Sequence, residues 1–143
     1  MLRPCIVSPD ILSAYRPFLF TDRDVSELLL LGLEEDGVPC GLLAGCPEGE
    51  VFTVHSLYIA PACRRRGGAL RLLEVLLAVT EDDPSLKRIR CAWADGPETE
   101  GLAPLLTGVG FMPAPVEDGL AAAEFTLNPT EDLGYLLSGM EDN

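Results

Sequence analysis

The sequence predicts a mixed α/β fold, a mostly antiparallel sheet with a central parallel strand–helix–strand crossover. Three observations predict it. The dipeptide Asp36-Gly37 separates two apolar runs, and such a dipeptide favours the tight turn of an antiparallel hairpin. Residues 50–94 read as strand, glycine-rich turn, long apolar helix and strand, a unit whose second strand returns parallel to the first. A shorter helix and a last strand follow.

The elements are justified in order. Residues 8–20 read as a helix: Ser8 before Pro9 is a start signal, and Ile11, Leu12, Tyr15, Phe18 and Leu19 follow at helical spacing. Residues 21–24 are a polar break, and residues 27–46 carry the hairpin. Residues 50–60 are rich in β-branched and aromatic types and form the third strand, which Pro61 ends. Residues 67–83 have the length and composition of a helix. Its apolar face is Leu70, Leu73 and Leu77 with Leu72, Leu76 and Val79; Arg71 and Glu74 lie outside it. Residues 86–94 alternate as a strand does. Residues 99–111 form a short helix that admits Pro104 only in its first turn and stops at Gly108 or Gly110. Residues 119–127 are the last strand, and residues 131–140 a weak helix in the tail. The expectation is a single domain over residues 1–143, with a core at about 25–127 and a C-terminal tail at 128–143.

Composition narrows the function. Acidic residues number 23 against 10 basic ones, a net charge of −13. That balance argues against nucleic acid as a partner, because duplex binding rests on neutralising phosphates. It suits a cationic small molecule, and it equally suits plain solubility. The five cysteines, Cys5, Cys40, Cys46, Cys63 and Cys91, include no C-x-x-C pair. This argues against a disulfide framework or a metal site and for a reducing compartment. The longest apolar run, residues 28–33, is far shorter than the roughly 20 residues of a membrane span. No N-terminal targeting pattern is recognisable. The expectation is a soluble cytoplasmic protein.

One basic cluster stands out, "RRRGGAL" at residues 64–70. It falls between a strand end and a helix start. The first N–H groups of a helix lack internal partners and carry the positive end of its dipole. Gly67 and Gly68 would let the backbone come close to a ligand. Such a turn is an anion site suited to phosphate or pyrophosphate, and Arg64 and Arg66 would add charge-assisted bonds. Neither the Walker pattern nor the dinucleotide fingerprint is present. A solvated arginine run is the plainer alternative.

Residues 57–77, "LYIAPACRRRGGALRLLEVLL", resemble motif A of the GCN5-related N-acetyltransferases, the GNAT family. The family pattern is an apolar strand end, often a proline, then [QR]-x-x-G-x-[GA] opening a helix. Residues 105–111, "LLTGVGF", also resemble the family's later helix ending in Gly-Phe. The resemblance implies a GNAT-like acyl-CoA N-acyltransferase fold with acetyl-CoA as cofactor. It implies that backbone N–H groups of Arg66, Gly67, Gly68, Ala69 and Leu70 bind the pyrophosphate, with the Arg64 and Arg66 side chains in support. The backbone of Leu57, Tyr58 and Ile59 would pair with the pantetheine arm in the gap before the next strand. The implied reaction is direct acetyl transfer to a small-molecule or peptide amine. Oligomeric state stays open, a homodimer being one option.

Two catalytic positions depart from the family. The usual glutamate base falls at Thr53 and the usual tyrosine acid at Leu106; the asparagine and alanine that often precede the tyrosine fall at Thr99 and Leu102. His55, the only histidine, lies two residues from Thr53. On a regular strand the two share a face, and a bulge between them would flip it. Its pKa range suits a base, and it equally suits a histidine bonded within the sheet. Tyr58 reads as packing, Trp93 as core or groove wall, and Cys63 as a loop residue whose thiol the arginines could activate. Tyr135 in the tail could fold back as an acid. Two other functions remain open. One is an acyl-CoA-binding sensor without catalysis, motivated by the missing glutamate and tyrosine. The other is a structural half of a duplicated GNAT assembly, motivated by the short N-terminal part and the apolar residues 133–140.

Overall fold

A computed structural model describes residues 1–93, 101–117 and 119–127. Its hairpin forms where the dipeptide places it. Strands β2 (Leu29–Glu35) and β3 (Val38–Glu48) flank Asp36 and Gly37, whose φ angles are 51° and 83°. Two left-handed residues give a turn whose twist matches that of the strands. Strand β4 (Val51–Ile59) runs antiparallel to β3. The chain then crosses through α2 (Gly68–Glu81) to β5 (Arg88–Trp93), which pairs parallel to β4. Helix α3 (Leu102–Val109) leads to β6 (Met112–Glu117) and β7 (Leu120–Thr126). With β1 (Leu2–Ile6) the sheet has seven strands in the order β1-β2-β3-β4-β5-β7-β6. The β4–β5 pair is parallel and the other pairs are antiparallel, the mixed, mostly antiparallel α/β sheet that the sequence predicts.

Two strands and one break were not anticipated. Strands β1 and β6 lie at the two edges of the sheet, and they contain Pro4, Pro113 and Pro115. Proline donates no ladder hydrogen bond, so it blurs the strand signal and is tolerated at an edge. The helix expected over residues 8–20 is broken. One α turn, α1 (Leu12–Tyr15), sits between 3-10 turns at Pro9–Ile11 and Arg16–Phe18. Pro17 has no N–H to continue the α ladder. The expected tail helix, Tyr135 and Thr99 lie outside the described residues.

Both faces of the sheet are covered. Leu31, Leu33 and Leu43 pack with Leu72, Leu73 and Leu76 of α2 and Leu106 of α3. On the other face Val7, Tyr15, Leu30, Leu42 and Ala44 form a smaller cluster. Burial on both faces explains why β2 and β3 read as continuous apolar runs rather than alternating ones. The buried leucines of α2 each contribute about 1.5–3 kcal/mol. Its buried face is narrower than its pattern suggests, since Leu70 and Val79 are 38% and 41% exposed. Among the described residues no helix is long and apolar enough to cross a membrane.

Candidate active site

The site begins as a fork in the sheet. Strands β4 and β5 pair over residues 51–54 and 88–91, with Val54 opposite Cys91 as the last pair. Beyond it both strands continue on their outer partners: β4 stays on β3 as far as Ile59, and β5 stays on β7 as far as Trp93. The edge of β4 after Val54 therefore faces a gap. A bulge marks the place. Ala44 opposes Ser56 while Gly45 opposes Val54, so His55 is the extra residue. Parity changes across it. Phe52 and Val54 enter the main core before the bulge, and Leu57 and Ile59 pack against that core after it.

The mouth of the fork is the N-terminus of α2. Gly67 is its N-cap residue with φ 80°, and a glycine has no side chain with which to cap the helix. A Cβ at Gly67 would meet nothing within 4 Å, so this position is open and its demand is for left-handed backbone. Gly68 differs. A Cβ there would lie 2.5 Å from Leu33 Cδ2, so this glycine seats the helix against β2 rather than opening the turn to a ligand. The arginines brace the turn. Arg64 Nε donates to the Ile59 carbonyl at 2.8 Å, and its guanidinium lies 5.4 Å from the Tyr58 ring centre. Arg66 forms a two-pronged ion pair with Glu35, Nη1 donating to Oε1 at 2.8 Å and Nη2 to Oε2. The bond to Arg66 holds the Glu35 carboxyl below its ordinary range. Both arginines are expected to support a bound phosphate; each also has a partner within the chain, because the turn lies beside Ile59 and the β2–β3 hairpin.

The expected backbone pairing at Leu57, Tyr58 and Ile59 also sharpens. The Tyr58 carbonyl faces β3, where a Cβ on Gly41 would lie 3.0 Å from it. Strand alternation turns the polar groups of Leu57 and Ile59 toward the gap, and Arg64 takes the Ile59 carbonyl. The Tyr58 ring packs with Phe18 and Phe20 at centroid distances of 5.8 and 4.9 Å.

The base of the fork is built from side chains. Cys46, Thr53, Arg90 and Glu124 stand in register across β3, β4, β5 and β7. Residues paired in this way share a sheet face. His55 and Glu48 are the next residues on that face. His55 Nε2 lies 3.6 Å from Cys46 Sγ and 3.7 Å from Glu48 Oε2. Arg23, in the loop before β2, places Nη2 at 2.6 Å from Glu48 Oε2 and Nη1 at 3.8 Å from Cys46 Sγ. Arg90 Nη1 donates to Glu124 Oε2 at 3.2 Å. Burial and then Arg23 push His55 below the ordinary histidine range, against Glu48. A hydrogen bond from Thr53 and the nearby charges of Arg23 and His55 hold Glu48 below the ordinary carboxylate range, against partial burial. At neutral pH the pair is thus a neutral imidazole beside a carboxylate.

The other candidates fall away from this centre. Leu106 is fully buried in the main core, so the usual acid position holds no proton donor. Cys63 is buried beside Cys40, whose thiol burial pushes up to about 12. Trp93 packs against the main core and lines a cavity of about 270 Å³ with Ala103, Thr107, Pro113 and Ala114. Among the described residues no titratable side chain lines that cavity. Glu48, Cys46 and Arg23 were missed. The turn at Gly49, φ 66°, is what sets Cys46 opposite Thr53 and brings Glu48 onto the same face, and it was the available signal.

Comparison with known proteins places this geometry. The acetyltransferase (GNAT) family model matches residues 3–101. The ribosomal-protein-S18-alanine N-acetyltransferase of Escherichia coli is similar in structure, with a TM-score of 0.72 at 15% identity over 89% of this chain and 94% of that one. The IAA acetyltransferase of Bacillus cereus gives 0.68 at 13% identity, covering 89% of this chain and 100% of that one. A GNAT family acetyltransferase of Elizabethkingia anophelis, solved with acetyl-CoA bound, gives 0.62 at 12% identity over 88% and 98%. No curated protein matches in sequence. At these identities the structural likeness is one of fold. The family match spans well over half of the chain, and the chain belongs to the GNAT acetyltransferase family.

Proposed function

We propose that the protein transfers the acetyl group of acetyl-CoA directly to an amine, with His55 as the base. The observation that carries this is the position of His55 on the bulge where β4 and β5 part. Family membership supports acetyl-CoA-dependent transfer in general. The residues present fit the cofactor. The uncapped first turn of α2 offers N–H groups and a positive dipole end to a pyrophosphate. The gap-facing groups of Leu57, with the Ile59 N–H, offer a strand edge to amides of the pantetheine arm. Acetyl-CoA supplies the activated acetyl group when bound.

The chain's own side chains do the rest. A lysine-type amine has a pKa of about 10.4 and must lose a proton to attack. With its proton on Nδ1, the neutral ring of His55 offers the Nε2 lone pair to that proton. Glu48, 3.7 Å away, steadies the imidazolium that results. A base of this kind contributes about 10²–10⁴-fold. The new N–C bond forms as the C–S bond breaks. A thiol has a pKa of about 8.5, so the thiolate leaves without an acid. This accommodates a buried leucine at position 106.

The test is amine-dependent release of free thiol across polyamines, aminoglycosides, amino acids and peptide N-termini. Release with at least one class, cut sharply by His55→Ala, is the expected result. A second reading, an acyl-CoA-binding sensor without catalysis, is favoured by the absence of a proton donor at Leu106. It predicts acetyl-CoA binding by calorimetry and silence across the whole amine panel.

A further inference from the structure

Three donors converge at the base of the fork in a way that proton transfer does not require. Cys46 Sγ, a Glu48 carboxylate oxygen and a His55 ring nitrogen all lie within 4.8 Å of one another. Cys46 and Glu48 approach the same ring atom, Nε2, at 3.6 and 3.7 Å. A nucleophile–histidine–acid relay needs its two partners on different ring nitrogens, so this is not one. Ligands gathered round an ion do meet in this manner. Tetrahedral zinc holds sulfur at about 2.3 Å and nitrogen or oxygen at about 2.0–2.2 Å, which sets neighbouring ligand atoms about 3.3–3.6 Å apart. The two separations from His55 are already close to those edges, and the Cys46–Glu48 edge, within 4.8 Å, has about 1 Å or less to close.

The donor chemistry points the same way. One thiolate, one imidazole and one carboxylate make a set that suits zinc, with a fourth position left for water. The place already holds a cation, since the Arg23 guanidinium bridges Glu48 and Cys46. Arg23 is on a loop and its side chain is 41% exposed, so it has room to swing away. We propose that Cys46, Glu48 and His55 bind a zinc-like divalent cation in competition with Arg23. The Cys46 thiol loses its proton to solvent as its sulfur ligates. Cysteine spacing argues against a metal site because it considers donors close in sequence. Here they are brought together by the register of two strands. One consequence rests on the acetyl-transfer reading: an Nε2 lone pair held by an ion cannot accept a proton from the amine, so the ion inhibits.

The test is titration of the metal-free full chain with cobalt(II), whose spectrum reports thiolate ligation. The expected result is a thiolate-to-cobalt charge-transfer band that saturates at one equivalent and is bleached by zinc. Cys46→Ala abolishes the band and Cys63→Ala keeps it. Arg23→Ala tightens binding, because the competing cation is gone. Should Cys46→Ala fail to fold, Glu48→Gln takes its place, with binding weakened about tenfold or more. The absence of the band at stoichiometric cobalt overturns the proposal. So does a band that survives Cys46→Ala, or weaker binding in Arg23→Ala. None of these outcomes bears on acetyl transfer, which thiol release tests separately.

Discussion

The mouth and the base of the fork are made of different materials. At the mouth the groups on offer are backbone N–H groups of the first turn of α2, where the N-cap residue Gly67 is left-handed and has no side chain to cap them. At the base they are side chains from β3, β4 and the Arg23 loop, with Arg90 and Glu124 continuing the row on β5 and β7. A backbone site needs only a residue type that leaves the chain open, so it survives as a short string in one stretch of sequence. A side-chain site needs register, and register is a property of paired strands.

The largest expected effect breaks the base and spares the mouth. His55→Ala lowers amine-dependent thiol release about 10²–10⁴-fold, while calorimetry shows acetyl-CoA affinity within a few-fold of the parent. The converse is Gly67→Asp. Aspartate tolerates left-handed backbone better than most residues, and its charge favours a helix N-terminus, so the fold holds. The same carboxylate stands at the site proposed for the pyrophosphate, and acetyl-CoA affinity is expected to fall about a hundredfold. Gly68→Ala separates the two glycines. Its Cβ meets Leu33, so urea unfolding shows a loss of about 1–3 kcal/mol. Acetyl-CoA affinity of the folded protein stays near the parent value.

Two smaller effects sharpen the contrast. Arg23→Ala removes a positive charge that disfavours the imidazolium, so the pKa of His55 rises. The acidic limb of the rate profile then moves to higher pH, readable in thiol release across pH 5–8. Glu35→Gln frees Arg66 from its ion pair. With that guanidinium available to the phosphates, acetyl-CoA binds a few-fold more tightly. Unchanged or weaker binding would show that Arg66 serves only to brace the turn.

The hairpin, the crossover and the glycine turn were legible because each depends on local chemistry. Asp36-Gly37 states its turn type, and "RRRGGAL" states a strand-to-helix junction. The edge strands were not, because Pro4, Pro113 and Pro115 suppress the strand signal where the fold tolerates them. The roles of the glycines and arginines within the turn were only half legible. Whether Gly68 opens toward a ligand or toward Leu33, and whether Arg66 meets phosphate or Glu35, depends on what packs alongside. At the base, His55 could be picked out as the lone histidine, but its neighbours could not. Besides the turn at Gly49 a second trace existed: Gly45 lies inside an apolar strand, and a Cβ there would come within 2.5 Å of the Thr53 carbonyl. A strand glycine of this kind is a sign of a bulge, and the bulge is what holds His55 at the fork.

The most direct test of the central claim is the pH profile of amine-dependent thiol release, compared between the parent and His55→Ala. Burial and Arg23 lower the pKa of His55, so the parent rate rises with pH through a limb below about 6.5 and then levels. The variant is predicted to lose both that limb and most of the rate. A His55→Ala protein that keeps the parent's rate and its acidic limb would contradict the assignment of His55 as the base.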